Sequence, residues 1–420
     1  MCAGFANSVL QVLVHCAPLR DWFERLAVAC TELEAKKRAA VAVPPLLRVF
    51  MQLLHDYRHG VGQDDPNVSP WSPFAAPLPP LKLASRLVPT VMPGRKTVLE
   101  QQDAQEFLFL LLDSIHASLL DASAAVKDDP ARSVYYASDS DDDDSSSNGS
   151  GGGGGGGGGA AVGGDASSSN SSGKAAAANG AGDGWTEIGP ASRKSVVITA
   201  EKTWRESPVS QLLRGRLRST LKRRNANSSI SIEPFFALSL EPLAGGAVAA
   251  ALPDKRRPGA QAQHVTLAHL LKAFLEPERV TTLSHNTTVA REKQTSLEQL
   301  PPHLLIHIAR FAFVNGATRK LDTHVEFGTE LDVPVDLFAL HTAPPAPLRY
   351  RLRGVVRHHG ATATSGHYTA CVLVHKPATT KSAPATDEWY LCDDTRVSPI
   401  AESAVLASTD TAYLLMFERV

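Results

Sequence analysis

The sequence predicts an α+β protein in which a helical lobe comes first and a mainly antiparallel sheet follows. In residues 1–121, apolar residues recur at helical spacing, as Phe107, Leu111 and Ile115 do. From residue 196 onward, short apolar or alternating runs such as 304–313 are typical of strands. Hydrophobic residues make up 43% of the 420 residues, which is enough for a sizeable core.

Four helices are predicted in the N-terminal part. The run 7–13 is apolar on most faces, as a buried helix is, and Pro18 breaks the pattern. The next helices place their apolar residues on one side, and Pro44-Pro45 opens the third of the four. The predicted ranges are 7–13, 19–37, 44–54 and 105–120, and 81–92 is either helical or extended.

Residues 122–195 differ in composition from both flanking parts of the chain. The segment holds an acidic run from Asp139 to Asp144 and uninterrupted glycine from Gly151 to Gly159. Such a sequence buries too little apolar area to offset the entropy cost of ordering it. We therefore predict a disordered Gly/Ser/Asp-rich insertion at 122–195 that separates residues 1–121 from residues 196–420.

After this segment the pattern favours strands, with one short helix. Six arginines or lysines stand between Arg214 and Arg224, which indicates either contact with an acidic or nucleic-acid partner or a solvated β-ribbon. We favour the ribbon, because no aromatic residues alternate with the basic ones. The predicted strands are 196–198, 230–232, 235–240, 304–313, 350–357, 367–374, 388–392 and 412–418, and the predicted helix is 266–275.

Charge and cysteine usage narrow the class of protein. The formal net charge is −1, so no overall field attracts nucleic acid or a membrane surface, and neither is expected as a partner. The five cysteines are odd in number and scattered, which favours a reducing compartment over a disulfide framework. We expect the protein in the cytoplasm, with the nucleus as a second location. No Cys-x-x-Cys pair occurs, and no metal or cofactor is expected.

The residues that suggest chemistry stand near the C-terminal end. His367 lies between Gly366 and Tyr368, and the pair Asp393-Asp394 follows after another predicted strand. An imidazole that accepts a proton and a carboxylate that orients the ring form the base half of a nucleophilic hydrolase site. This pattern requires a nucleophile elsewhere in the chain.

Four segments together resemble the sequence boxes of the ubiquitin-specific proteases, which are papain-like cysteine proteases. The segments are Phe-Ala-Asn-Ser-Val-Leu-Gln at 5–11, Gln-Gln-Asp-Ala-Gln-Glu-Phe-Leu at 101–108, Leu-Pro-Pro-His-Leu-Leu-Ile-His-Ile-Ala-Arg-Phe at 300–311, and Gly-His-Tyr at 366–368 followed by Asp-Asp. The resemblance implies a papain-like thumb, palm and fingers architecture. Residues 1–121 would be thumb-like, and residues 196–420 would form the fingers and palm.

The first box departs from the family pattern. The family's nucleophile directly precedes the aromatic residue, where this chain has Gly4, and Cys2 lies two positions earlier. In one interpretation, Gly4 replaces the nucleophile. In the other, residues 3–4 are an insertion and Cys2 descends from the nucleophile. We prefer the second interpretation, because removing the two residues restores the motif.

The resemblance then implies a catalytic set of Cys2, His367 and Asp393. A helix N-terminus and an adjacent imidazolium both favour the thiolate form of a cysteine. Asp394 is the alternative to Asp393 as the group that orients the imidazole. The first aspartate of the pair is the family's usual orienting residue, so Asp393 is preferred.

The resemblance also implies three substrate contacts. Asp103 and Glu106 are candidates to meet arginines on the surface of ubiquitin, although capping of the following helix explains both equally well. His358 precedes a glycine-containing loop that borders the channel for the ubiquitin tail in similar proteins. The alternative for His358 is a histidine of a surface turn.

Three functions are compatible with the sequence. The first is a thiol-dependent deubiquitinase that hydrolyses (iso)peptide bonds at the C-terminal glycine of ubiquitin. The second is a ubiquitin-binding pseudoenzyme, or a gene-model fragment, that has lost the nucleophile. The third is a non-enzymatic scaffold whose insertion recruits partners. The expected partners are ubiquitin and ubiquitinated proteins, together with an adaptor protein of unknown identity.

Overall fold

Helix α1 (Gly4–Val14) is enclosed by the rest of the fold, and all of its residues are buried. It packs against three neighbouring strands of the largest sheet, β14 (Leu348–Thr362), β15 (Ser365–Lys376) and β16 (Thr386–Asp393). The computed structural model describes residues 4–35, 43–59, 87–92, 102–127, 185–188, 196–199, 205–222, 228–242, 264–284, 287–314, 317–321, 323–362, 365–376, 386–394 and 396–420.

Seven further helices accompany α1 in the described part of the chain. Side-chain caps begin several of them, and α6, for example, has a capping box formed by Ser207 and Ser210 with Pro208 at its first turn. The helices are α2 (Ala17–Ala35), α3 (Pro45–His59), α4 (87–91), α5 (Ala104–Lys127), α6 (Pro208–Leu213), α7 (Leu267–Phe274) and α8 (Glu402–Leu406).

Within the described residues, the strands form two large sheets and two small ones. The remaining strands are β1 (Trp185–Ile188), β2 (Val196–Thr199), β3 (Gly215–Lys222), β4 (Ser229–Phe235), β5 (Ala237–Leu240), β6 (His264–Thr266), β7 (Glu278–Ser284), β8 (Thr287–Gln299), β9 (His303–Ile308), β10 (Phe311–Val314), β11 (Ala317–Lys320), β12 (His324–Glu326), β13 (Glu330–Val333), β17 (Arg396–Pro399) and β18 (Ala412–Arg419).

The largest sheet has the order β17-β16-β15-β14-β18-β9-β5, and β13 pairs with β14. Its neighbours are antiparallel except β5 and β9, which are parallel. The second sheet has the order β1-β2-β4-β3-β8-β7, and only β2 and β4 are parallel. The α+β class, with helices first and a mainly antiparallel sheet after them, is therefore confirmed.

One hydrophobic core joins helices α1 to α6 to one face of the largest sheet, and α7 and α8 belong to a second core. The predicted stripe of α5 is buried, with Phe107, Leu111 and Ile115 each at most 1% exposed. Phe5 of α1 meets the ring of Phe107 edge to face at a centroid distance of 5.5 Å. On β14, a Cβ at Gly354 would lie 3.0 Å from a methyl group of Val12, so a glycine there lets α1 approach the sheet closely.

Arg310 interrupts the predicted strand 304–313, which the structure divides into β9 and β10. Its side chain is fully buried and donates hydrogen bonds to the carbonyl oxygens of Ala412 (2.6 Å), Thr323 (2.9 Å) and Thr409 (2.6 Å). These carbonyls belong to separate segments, so one guanidinium connects β9–β10 to β18 and to the segment before β12. The sequence analysis assigned no role to Arg310, because a single arginine in an apolar run does not reveal which groups it binds.

The described part of the basic stretch contains strand β3 (Gly215–Lys222), as the ribbon interpretation predicts. Arg218 donates to Glu298 at 2.7 Å, and Lys222 lies 2.6 Å from Glu292 on the neighbouring strand β8. Strands β7 and β8 themselves were not predicted, because 278–299 is rich in charged and polar residues and shows no clear alternation. Backbone pairing with β3 holds this polar strand pair in the sheet.

Two compact units divide the chain. One comprises Met1–Ser123 and Trp185–Val420, and the other is Ala124–Gly184. Both ends of the predicted insertion at 122–195 carry regular structure, because α5 continues to Lys127 and β1 spans Trp185–Ile188. Alanine, the strongest helix former, is frequent in 122–127 and accounts for the longer helix. Residues 128–184 lie outside the described part, so the predicted domain division stays a prediction.

Among the described helices, none is long and apolar enough to cross a membrane.

Candidate active site

His367 and Asp393 lie on adjacent strands and are joined side chain to side chain. Nε2 of His367 is 2.5 Å from Oδ1 of Asp393, and both side chains are partly exposed, at 40% and 45%. Because this bond uses Nε2, the atom Nδ1 is the ring nitrogen that can face a nucleophile. The arrangement can hold the imidazole in one orientation.

The N-terminus of α1 lies beside this pair. A Cβ built on Gly4 would be 3.5 Å from Oδ1 of Asp394 and 3.6 Å from the carbonyl oxygen of Tyr368. The residue directly before Phe5 therefore contacts the turn after β16 and the strand that carries His367. Position 4, which has no side chain, is the described position nearest to where the family's nucleophile is expected.

Asn7 fixes this helix end to the turn. Its Nδ2 donates to the backbone carbonyl of Asp394 at 3.2 Å, and its side chain is buried. Asp394 has a positive φ of 49°, a conformation that aspartate tolerates better than most residues. The sequence analysis did not assign a role to Asn7, although the residue lies in the first box. A polar side chain on a mainly apolar helix was the available signal, and Asn7 shares this property with Ser8 and Gln11.

Cys2 lies outside the described residues, and its predicted role as nucleophile stays a prediction. Three other thiols are poorly suited to that role. Burial raises the pKa of Cys16 to about 12 and that of Cys371 to about 11, and it also raises the pKa of Cys392. A buried thiol that stays protonated is a weak nucleophile.

Asp103 serves as a helix cap. Its Oδ1 accepts hydrogen bonds from the backbone N–H groups of Gln105 (2.7 Å) and Glu106 (3.2 Å) at the start of α5. Its Oδ2 accepts the hydroxyl of Tyr413 at 2.5 Å. The capping alternative is therefore realised for Asp103. Glu106 stands in the first turn of α5 and is half-buried. Ubiquitin contact stays a prediction for both residues.

His358 is fully buried rather than placed in a surface turn. Gly366 lies against its ring, because a Cβ at Gly366 would come within 2.6 Å of Nε2 of His358. Burial, and then the charge of Lys320, lower the pKa of His358 to about 4. In this conformation the ring packs against Gly366 at the start of β15, and its predicted contact with substrate stays a prediction.

His358 belongs to a buried group of rings below the site. Its ring centroid is 4.7 Å from that of Tyr368, and the ring of Tyr413 is 4.7 Å from that of His307. Nδ1 of His307 is 2.8 Å from the hydroxyl of Ser239. Burial lowers the pKa of His307 to about 4. Both histidines are therefore neutral near pH 7 and act as polar members of the core.

Comparisons with known proteins extend these observations. Residues 2–417 match the family described as "Ubiquitin carboxyl-terminal hydrolase". "Ubiquitin hydrolase B" of Dictyostelium discoideum is 27% identical over 329 residues, which cover 76% of this chain and 56% of that protein. "Ubiquitin carboxyl-terminal hydrolase 10" of Rattus norvegicus is 24% identical, over 99% of this chain and 47% of that protein. The chain thus spans about half the length of the curated relatives it matches.

A solved structure gives the same picture of the fold. The SAGA Ubp8/Sgf11/Sus1/Sgf73 DUB module bound to ubiquitin aldehyde matches with a TM-score of 0.56 and 18% identity, over 100% of this chain and 68% of that chain. This likeness confirms the predicted papain-like architecture. The family model matches nearly the whole length of the chain, and the fold agrees with it. The chain therefore belongs to the ubiquitin carboxyl-terminal hydrolase family, in the ubiquitin-specific protease type that the four boxes indicate.

Proposed function

We propose that this chain is a thiol-dependent deubiquitinase that hydrolyses (iso)peptide bonds at the C-terminal glycine of ubiquitin. The observation that carries the proposal is the 2.5 Å bond between His367 and Asp393 beside the N-terminus of α1. In this reaction His367 accepts the proton of the thiol and later gives it to the leaving amine, while Asp393 holds the ring. Cys2 supplies the thiol.

A ubiquitin probe with a C-terminal electrophile tests this proposal. We expect covalent capture by the native chain, and we expect capture to be lost in Cys2→Ala and in His367→Gln. Cys30→Ala is the matched control, because Cys30 is half-buried on α2 and far along the chain from the first box. Capture that persists in Cys2→Ala would contradict the role of Cys2.

Binding of ubiquitin without hydrolysis is the second candidate function. Gly4 favours it, because the described helix position beside Asp394 and Tyr368 has no side chain to react. Reversible binding of ubiquitin by the native chain, without capture by the probe, would support this function over the first. Absence of both binding and capture would instead favour a scaffold role.

The partners and the location are proposals as well. We infer that ubiquitin and ubiquitinated proteins are the substrates, and that the protein acts in the cytoplasm, with the nucleus as a second location. An adaptor of unknown identity is a further proposed partner. The structural neighbour Ubp8, in a module with Sgf11, Sus1 and Sgf73, illustrates such an assembly for a related fold.

A further inference from the structure

Lys320 of β11 reaches the end of β14 that lies opposite the proposed base. Its Nζ donates hydrogen bonds to the backbone carbonyl oxygens of Gly360, at 2.9 Å, and of His358, at 3.3 Å. These two residues flank His359, which pairs with His367 in the antiparallel register of β14 and β15. One ammonium group therefore binds β14 on both sides of the position opposite the base.

The two carbonyl groups lie where β14 extends beyond β18. Strand β18 begins at Ala412, which pairs with Arg357, and the N–H of His358 donates to the carbonyl oxygen of Thr411 at 2.8 Å. The N–H and C=O groups of one residue in an antiparallel strand point to the same side, so the carbonyl of His358 also faces the side of β18. Since β18 does not extend along 359–362, the ammonium group supplies donors there that a longer strand would otherwise supply.

The β14–β15 hairpin is irregular at this end. Its register shifts between His359 and Thr362, so two residues of β14 lie opposite the single residue Gly366 of β15. A bulge of this kind interrupts the ladder of backbone hydrogen bonds between the two strands. A contact from outside the hairpin, such as that of Lys320, compensates for the interrupted ladder.

The two residues that Lys320 binds also contact the residue before His367. A Cβ at Gly360 would lie 2.6 Å from Cα of Gly366, and a Cβ at Gly366 would lie 2.6 Å from Nε2 of His358. The backbone of Gly366 is therefore packed directly against both residues. Because closely packed groups transmit displacements, a shift of this part of β14 would move Gly366 and the imidazole that follows it.

We propose that Lys320 is a positioning residue for His367: it anchors the end of β14 beyond β18 and so fixes the hairpin end that carries the imidazole. A catalytic group must be held within about 0.5 Å of its productive position. Asp393 holds the ring nitrogen at 2.5 Å, and Lys320 holds the backbone on the opposite side of the hairpin. The sequence analysis passed over Lys320, because the residues it binds lie 38 and 40 positions away. The catalytic role rests on the proposed function, but the anchoring itself does not.

Hydrogen exchange of the backbone amides in the full chain tests the anchoring without requiring activity. Lys320→Met keeps the length of the side chain and removes its donors. We expect the amides of 358–360 and 366–368 to exchange about tenfold faster, because charge-assisted hydrogen bonds are lost, while β9 keeps its native rate. Lys320→Arg, which keeps a charged donor, should exchange at close to the native rate. Unchanged exchange in Lys320→Met would overturn the proposal, and so would a rise throughout the largest sheet, which would indicate a general loss of stability.

Lys376→Met is the matched control on the strand that carries His367. Lys376 stands at the other end of β15, and its Nζ lies 2.5 Å from Oε2 of Glu388. This variant removes an ammonium group from β15 without changing the bulged end, so exchange at 366–368 should stay at the native rate. Equal acceleration by the two methionine variants would indicate an effect of net charge and would overturn the proposal.

Capture by the ubiquitin probe separates positioning of the base from binding of ubiquitin. In Lys320→Met, the rate of adduct formation at saturating probe should fall by about tenfold or more, because the base is displaced. The probe concentration that gives half of the maximal rate should stay the same. A native maximal rate despite faster local exchange would overturn the proposal, as would a change confined to the half-maximal concentration. If the native chain is never captured but local exchange responds as expected, the proposed function fails and the anchoring by Lys320 stands.

Discussion

A cysteine at position 4 should react with the ubiquitin probe much faster than the native thiol does. A Cβ there would lie 3.5 Å from Oδ1 of Asp394, 3.6 Å from the carbonyl oxygen of Tyr368 and 3.8 Å from its amide nitrogen. These are ordinary contact distances, so the side chain fits without displacing its neighbours. Helix propensity favours cysteine over glycine by about 0.3 kcal/mol, so Gly4→Cys should fold as well as the native chain.

The size of the effect follows from helix geometry. Two residues of a helix correspond to about 3 Å along its axis, and a misplacement of about 1 Å can cost on the order of a hundredfold in rate. We therefore expect capture by Cys2→Ala/Gly4→Cys to exceed that of the native chain by at least about a hundredfold. The assay is the rate of covalent adduct formation under excess probe.

Gly4→Ser in the Cys2→Ala background is the matched control. Serine has nearly the same shape as cysteine but does not carry the reactive sulfur. If the cysteine variant is captured no faster than the serine variant while both remain folded, position 4 does not face the imidazole. The reasoning from the Gly4 contacts would then be refuted.

Three further predictions concern the supports of the site. Gly366→Ala should abolish capture and destabilise the fold by about 1–3 kcal/mol, because Gly366 has a φ of 152° and a Cβ would approach Nε2 of His358 to 2.6 Å. Arg310→Ala should lower the free energy of unfolding by about 3–5 kcal/mol in urea, since several buried carbonyls lose a charged donor. Arg349→Ala, on a side chain 73% exposed, should change it by less than about 0.5 kcal/mol. His307 and His358 have folded-state pKa values of about 4, below the ordinary 6.5, so the unfolded chain binds protons first. Stability should therefore fall as the pH drops from 6.5 to about 4, and thermal melts of a double Gln variant should show a shallower fall.

Each of these has a contrary result. Normal capture by the Gly366 variant would mean that this position at the start of β15 tolerates a side chain without displacing His367. If Arg310→Ala and Arg349→Ala lower the free energy of unfolding equally, the buried hydrogen bonds of Arg310 do not stabilise the fold more than an exposed arginine does. An unchanged pH dependence after both histidines are replaced would mean that other groups cause the acid instability.

The sequence predicted the pairing of His367 with Asp393 better than it predicted the residues around this pair. The boxes identified His367 and Asp393, and the structure brings these two side chains into contact. The sequence could not predict that His359 lies opposite His367, because this pairing depends on a strand register that shifts between His359 and Thr362. The burial of His358 could not be predicted either, because adjacent residues of a strand face opposite sides of the sheet and only the register decides which side is buried.

Strands β7 and β8 and the contacts of Arg310 could not be predicted for a different reason. Strands β7 and β8 are polar and are held by backbone pairing with β3, so their side chains give no apolar period to detect. Arg310 lies in a segment that was recognised, but the carbonyls it binds come from residues up to 102 positions away. Long-range contacts of this kind are set by the assembled fold and not by local sequence.

The enclosure of α1 has a consequence for how the protein is made. Helix α1 leaves the ribosome well before β14 to β16, the strands that pack against it, have been synthesised. Until then the part of its apolar surface that faces the sheet has no cover, and a nascent chain stopped before residue 348 would expose that part to chaperones and to aggregation. Such a chain would also lack β15 and β16, the strands that carry His367 and Asp393.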